Sequence, residues 1–174
     1  MSAANSLEPP LDMLAAWHRL GEDRFETLWY LARRMPIVAV DMAAREAAYA
    51  VLFYFDTSIA VHHLDEEQDL FPALIESMAA SDPVCLREMI VGITDEHRAL
   101  ESAWKRLRSA FAALAAGTPA AIEPEDVDAL IAQCERMFQL EDNELLPMSD
   151  RLLGDEARER IGAAMRARHR DIEP

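Results

Sequence analysis

Glycine is scarce, with five residues in 174, and no stretch alternates apolar and polar residues as a half-buried strand does. A sheet protein is therefore not expected. The two cysteines, Cys85 and Cys134, form no CxxC pair. That argues against a disulfide framework and makes the cytoplasm the default compartment. No uninterrupted apolar run approaches the roughly 18 residues of a membrane span. The opening MSAANSLEPP lacks the basic start and apolar core of a secretory signal, and residues 1–9 read as a flexible tail. Positive charge is also in short supply: 17 Lys and Arg face 32 Asp and Glu, a formal net charge of -15. A nucleic-acid partner requires a basic face that displaces counterions from phosphates, so none is expected. The arginines of RERIGAAMRARHR read as the solvated face of a last helix.

What remains is rich in Ala, Leu, Met, Glu and Arg, all strong helix formers, in a length that suits one domain over residues 10–174. Helix breakers fall at few places. Met35-Pro36 separates the first two helices. Ser81-Asp82-Pro83 offers a cap followed by proline at the first helical position. Gly117-Thr118-Pro119 closes the third helix. Glu123-Pro124-Glu125-Asp126 opens the fourth with acids where the helix dipole favours them. Pro72 and Pro147 mark the ends of the second and fourth, and Gly154-Asp155 begins a short fifth. The expected fold is all-α: an up-down-up-down antiparallel four-helix bundle with a short C-terminal fifth helix.

Each long helix carries an apolar stripe with steps of three or four. They run through Leu11, Leu14, His18, Phe25 and Leu28; through Phe55, Ile59, His62, Glu66 and Leu70; through Leu86, Ile90, Ile93, His97, Leu100, Trp104, Leu107, Phe111 and Leu114; and through Leu130, Cys134, Met137, Glu141 and Leu145. His18, His62, Glu66, His97 and Glu141 interrupt them. A carboxylate on a core-facing stripe is costly unless paired, protonated or bound to a metal. Five such residues on four helices ask for a shared cause. At roughly 1.5 Å per residue, His18, His62 and Met137 lie at similar depth and His97 about one turn deeper. His62 and Glu66, one turn apart, can reach one metal or two adjacent ones. His63 and Glu67 follow Asp56 and Ala60, a more polar line, and are expected to face outward. Glu22 and Glu101, each one turn after a striped histidine, read either as partners of those histidines or as exposed charges, the second being favoured. Phe25, Phe55 and Trp104 read as core or as the lining of a dry pocket. The stretch HHLDEEQDLFP (62–72) is echoed by MFQLEDNELLP (137–147), with Glu66 over Glu141, Glu67 over Asp142 and Pro72 over Pro147. Two pseudo-symmetric halves are implied.

Taken together, His18, HHLDEEQDLFP, DEHRAL (95–100) and LEDNELLP resemble the hemerythrin-like (HHE cation-binding) domains of bacteria over nearly the whole chain. The resemblance implies a non-haem di-iron centre in the bundle, with His18, His62, Glu66, His97 and Glu141 as ligands. One or two iron ions are implied, bridged by oxo, hydroxo or water. The implied partner is a small diatomic ligand or oxidant such as dioxygen or nitric oxide, in a monomer or homodimer that binds or senses rather than catalyses. The family usually has a histidine one turn before the last carboxylate, where this chain has Met137. A thioether is a poor match for ferric iron; Cys134 is an outside candidate to replace it. Two other roles stay open: a structural or interaction bundle with a degenerate metal site, and a di-metal oxidase or peroxidase.

Overall fold

The computed structural model describes residues 9–34, 39–78 and 84–170. The breaks expected at Met35-Pro36 and Ser81-Asp82-Pro83, and residues 1–8 of the expected tail, lie outside the described residues. Among those described there is no strand, and the chain forms five helical rods. They are α1 (Pro10–Arg34), α2 (residues 42–77), α3 (Val84–Ala115), α4 (residues 124–152) and α5 (Asp155–His169). Helix ends follow local chemistry. The Asp41 carboxylate accepts the Ala44 N–H at 2.8 Å and caps α2, satisfying one of the donors a helix start leaves over. After α3, Gly117 takes φ +84°, a conformation costly for a side chain with a Cβ. Its N–H bonds the Leu114 carbonyl while the Thr118 N–H bonds that of Ala113, a Schellman closure. Pro124 then sits in the first turn of α4, followed by Glu125 and Asp126.

The four long helices pack in chain order around a ring, α1 against α2 and α4, and α3 against α2 and α4. They run antiparallel. Arg33, at the end of α1, pairs with Asp128 near the start of α4 at 2.8 Å. The apolar core is in two parts. One gathers Leu28, Val51, Phe111 and Leu130. The other gathers Leu14, Leu74, Ile93 and Leu145 with Ile161 and Met165 of α5. Each part therefore takes one end of every long helix. The striped histidines and glutamates fall between the two.

Pro72 and Pro147 do not end their helices, contrary to expectation. Both lie inside rods that continue to Ser77 and Leu152. In each, a π-helical turn precedes the proline: Asp65–Leu70 closed by Phe71 N–H to Glu66 O, and Glu141–Leu145 closed by Leu146 N–H to Glu141 O. A proline in a regular helix lacks a donor and strikes the carbonyl four residues back. The wider turn moves that carbonyl aside, so the helix passes through. The extra length beyond the prolines also removes the additional turn of depth that counting to Pro72 assigned to His97. A third π turn, Tyr54–Ser58, lies further back in α2.

The last helix is not simply solvated. Arg168 pairs with the fully buried Asp65 carboxylate, and also with Asp69 at 2.8 Å. His169 Nε2 lies 2.6 Å from the second Asp65 oxygen, and its ring meets Trp17 edge-on at 5.4 Å. The end of α5 is thus latched onto the π turn that carries Glu66. Removing one partner of a buried charge leaves the other uncompensated. Arg168→Ala is expected to cost about 2 kcal/mol of stability, read from the urea midpoint at unchanged m. Arg160→Ala, which breaks the exposed pair with Glu76, should change it by less than about 0.5 kcal/mol.

Candidate metal centre

Glu66 and Glu141 each follow from the same local rule. Each is the residue whose carbonyl closes a π turn, and each precedes a second acid, Glu67 or Asp142. Consecutive residues on a helix point about 100° apart. The first acid therefore enters the core and the second faces the neighbouring helix.

The structure brings the five striped residues together, all within 2% of complete burial. Nε2 of His18 and Nε2 of His62 converge on one oxygen of Glu141, at 2.8 and 3.3 Å. The two nitrogens are 3.3 Å apart. On the other side, His97 Nε2 lies 3.1 Å from Glu66 Oε2 and 3.9 Å from the second Glu141 oxygen. Two three-residue groups result, His18/His62/Glu141 and Glu66/His97/Glu141, each with its donor atoms within 4.8 Å of one another. Glu141 is common to both, one oxygen turned to each.

Outside the groups, His18 Nδ1 meets Asp142 and His97 Nδ1 meets Glu67, both at 2.8 Å. A carboxylate on the far nitrogen orients an imidazole and presents its Nε2 lone pair inward, as supporting partners of metal-bound histidines do. Glu67 is therefore not the outward bystander expected. It holds His97, and Arg98 pairs with its other oxygen. His63 is likewise not outward: it is 3% exposed and stacks on His97 at 3.7 Å between centroids. The π turn Tyr54–Ser58 explains the error. It inserts one residue between Asp56 and His63, which turns the later position by about 100° and takes it off the Asp56 line. Glu22 is exposed and Glu101 pairs with Arg98, so neither holds a histidine. Asp142 and Glu67 have those roles, and the echo between the two halves was the signal that paired them.

Charge in this layer is finely divided. Burial opposes a proton on His18, but Asp142 and Glu141 outweigh it and raise its pKa to about 9. Burial likewise opposes one on His97, and Glu141, Glu66 and Glu67 raise it to about 10. Burial pushes Glu141 up, but three facing imidazoles hold it well below the usual carboxylate range. Glu66 is pushed up by burial and by Glu141 beside it. Burial, with His97 and His62 nearby, keeps His63 neutral. Both oxygens of Glu66, one of Glu141 and Nε2 of His97 make no well-aligned hydrogen bond, although His97 Nε2 lies near a Glu66 oxygen. Buried acceptors left over in this way are costly. All belong to the two groups, and imidazole with carboxylate is a donor set that suits iron and other divalent cations. The residues fit a cation.

A scan of family descriptions matches residues 10–149 to the hemerythrin HHE cation-binding domain. The chain belongs to the hemerythrin family. No curated protein matched it. In this hemerythrin-like bundle Met137 is 2% exposed and joins the first apolar cluster. Phe138, next to it, stacks on His18 at 4.4 Å. Cys134 is buried, its thiol pushed up by burial, and belongs to neither donor group. Of the aromatic residues read as core or pocket, Phe25 is core whereas Phe55 and Trp104 line a cleft as well.

Glu67→Gln and Asp142→Asn should each weaken cation affinity by roughly 10- to 100-fold while leaving the number of sites unchanged, as measured by titration against a chelator. Protons held by His18 and His97 up to about 9 and 10 compete with a cation in the metal-free protein. Affinity should therefore rise from pH 6.5 to 8.5, with proton release on binding. An affinity independent of pH over that range would contradict this protonation scheme.

Proposed function

We propose that this hemerythrin-like protein binds iron through His18, His62, Glu66, His97 and Glu141, in the cytoplasm, and thereby binds or senses dioxygen, nitric oxide or a related oxidant. The observation that carries the reading is the pair of buried His/Glu groups sharing Glu141, with both Glu66 oxygens and one Glu141 oxygen making no hydrogen bond. His18, His62 and one Glu141 oxygen would hold one ion. His97, Glu66 and the other Glu141 oxygen would hold a second. Iron so held supplies a redox-active centre with open positions for a small ligand.

The protein's own part is to shape and charge that space. Glu67 and Asp142 fix the histidines, and their negative charge adds to that of Glu66 and Glu141 in balancing the metal. Phe138 and the apolar clusters at either end keep bulk water from the layer. A diatomic molecule that needs little hydrogen bonding suits such an environment better than a polar substrate does. Met137 supports a single ion as the alternative. It lies one turn before Glu141, as His62 lies one turn before Glu66, and offers a soft, uncharged sulfur in place of an imidazole.

Metal analysis of protein from iron-supplemented cells is expected to give at least one iron per chain. Less than about half an equivalent of any transition metal would refute the proposal. Met137→His is expected to raise the iron content toward two per chain, measured by the same analysis. His62→Ala is expected to lower the melting temperature of the metal-loaded protein more than that of the metal-free protein, since a bound ion adds its binding free energy to stability.

A further inference from the structure

The π turn Asp65–Leu70 puts its side chains to two uses. Glu66 and Glu67 turn to the histidines of the metal layer. Asp65, Gln68 and Asp69, spaced by three and four residues, share another face. All three are held by a single side chain of α5. Arg168 pairs with Asp65, bonds the Asp69 carboxylate at 2.8 Å and reaches the Gln68 side-chain oxygen at 3.3 Å. His169 Nε2 takes the second Asp65 oxygen at 2.6 Å. Both oxygens of this fully buried carboxylate are therefore answered by the last turn of α5.

The other half of the bundle repeats the π turn without the clasp. Position for position, Leu140 stands where Asp65 does and Asn143 where Gln68 does. Leu140 packs against the second apolar cluster, and Asn143 bonds the Gln139 carbonyl of its own helix. An apolar residue thus suffices for packing at this point of the turn. Exchanging a buried ion pair for apolar groups is often neutral or stabilising, so stability alone does not account for Asp65. Nor does α5 depend on Arg168 to reach the bundle. Arg158 ties its beginning to Asp150 and to the Leu153 carbonyl, and Ile161 and Met165 bury its middle. The feature particular to Asp65 is its neighbour in the chain, Glu66.

We propose that Arg168 and Asp65 are positioning residues for Glu66, and that the last turn of α5 is a clasp whose closure and cation binding at Glu66, His97 and Glu141 strengthen one another. This rests on the cation reading of that group and adds a route by which its occupancy reaches the surface. The Glu66 oxygens make no well-aligned hydrogen bond, so the carboxylate takes its direction from the turn that carries it. With the clasp closed, that turn is gripped at three positions. With the clasp open, the grip is lost and the group keeps a less directed donor. Helix ends open locally at small cost. A cation that binds the closed form more tightly must favour closure by the same factor. An occupied layer is then accompanied by an ordered end of α5, and an empty one by a looser end.

Cobalt(II) is the probe, a divalent ion that imidazole and carboxylate accept. Its affinity for the full-length protein is measured by competition with a chelator, at a temperature where every variant is folded. Hydrogen exchange is followed by mass spectrometry with and without saturating cobalt(II). In the unaltered protein, exchange at residues 165–169 should slow on loading by at least about fivefold, the lower end of ordinary coupling between linked sites. Arg168→Ala should weaken cobalt(II) binding by a comparable factor and remove the slowing. Asp65→Leu, which copies Leu140 and leaves no buried carboxylate unpaired, should do the same even at unchanged stability. Arg158→Ala loosens the other end of α5 and should alter affinity by less than roughly twofold, since it shares no partner with the π turn. Unchanged affinity in Arg168→Ala or in Asp65→Leu, exchange in α5 that ignores cobalt(II), or an equal loss in Arg158→Ala would each overturn the clasp while leaving the cation reading intact. Unaltered protein that takes up no cobalt(II) would refute both.

Discussion

Two carboxylates, Glu66 and Glu141, are completely buried between two apolar clusters. An ionised carboxylate in such a place costs several kcal/mol unless its charge is answered. The answer comes first from imidazoles on three other positions, His18, His62 and His97. Those imidazoles must in turn be oriented, which Asp142 and Glu67 do from outside the layer. The antiparallel arrangement is what allows it. It brings the first part of α1 and α3 level with the later parts of α2 and α4. The polar layer therefore organises the bundle as much as the bundle encloses it.

The π turns connect this layer to the backbone. Asp65–Leu70 and Glu141–Leu145 each supply an inward acid, a supporting acid and an approach to a proline that the helix then passes. The same device thus appears in both halves and produces the two carboxylate pairs. Asp65, at the start of one of these turns, is also the anchor for Arg168 and His169. α5 consequently braces the segment that positions Glu66, although it contributes nothing to the donor groups themselves. Where the halves differ, at His62 against Met137, the symmetry of the chemistry ends while that of the backbone persists.

Much of this was legible beforehand. Helix type followed from composition and from the three-and-four spacing, and the polar residues on the stripes were visible because hydrophobic neighbours fixed their phase. The errors at Pro72, Pro147, His63 and Glu67 have one origin. Each assumed a uniform 3.6-residue turn, and the chain departs from it in three places. A single added residue leaves a stripe readable on one side of the π turn and rotates it on the other. No spacing rule applied to a regular helix detects that shift.

The order of residues along the chain by itself determined which side chains could enter the core, since four helices whose apolar stripes carry five histidines and acids leave few other arrangements. It also determined the doubled acidic motif and the substitution at Met137. Only the tertiary structure decided that one Glu141 oxygen faces His18 and His62 while the other faces His97. It alone placed His63 against His97 and opened a cleft beside it. The physical reason is that a sequence specifies the angular phase of a residue within its own helix. Distances between helices depend on how several such phases, displaced by π turns, come to rest against one another.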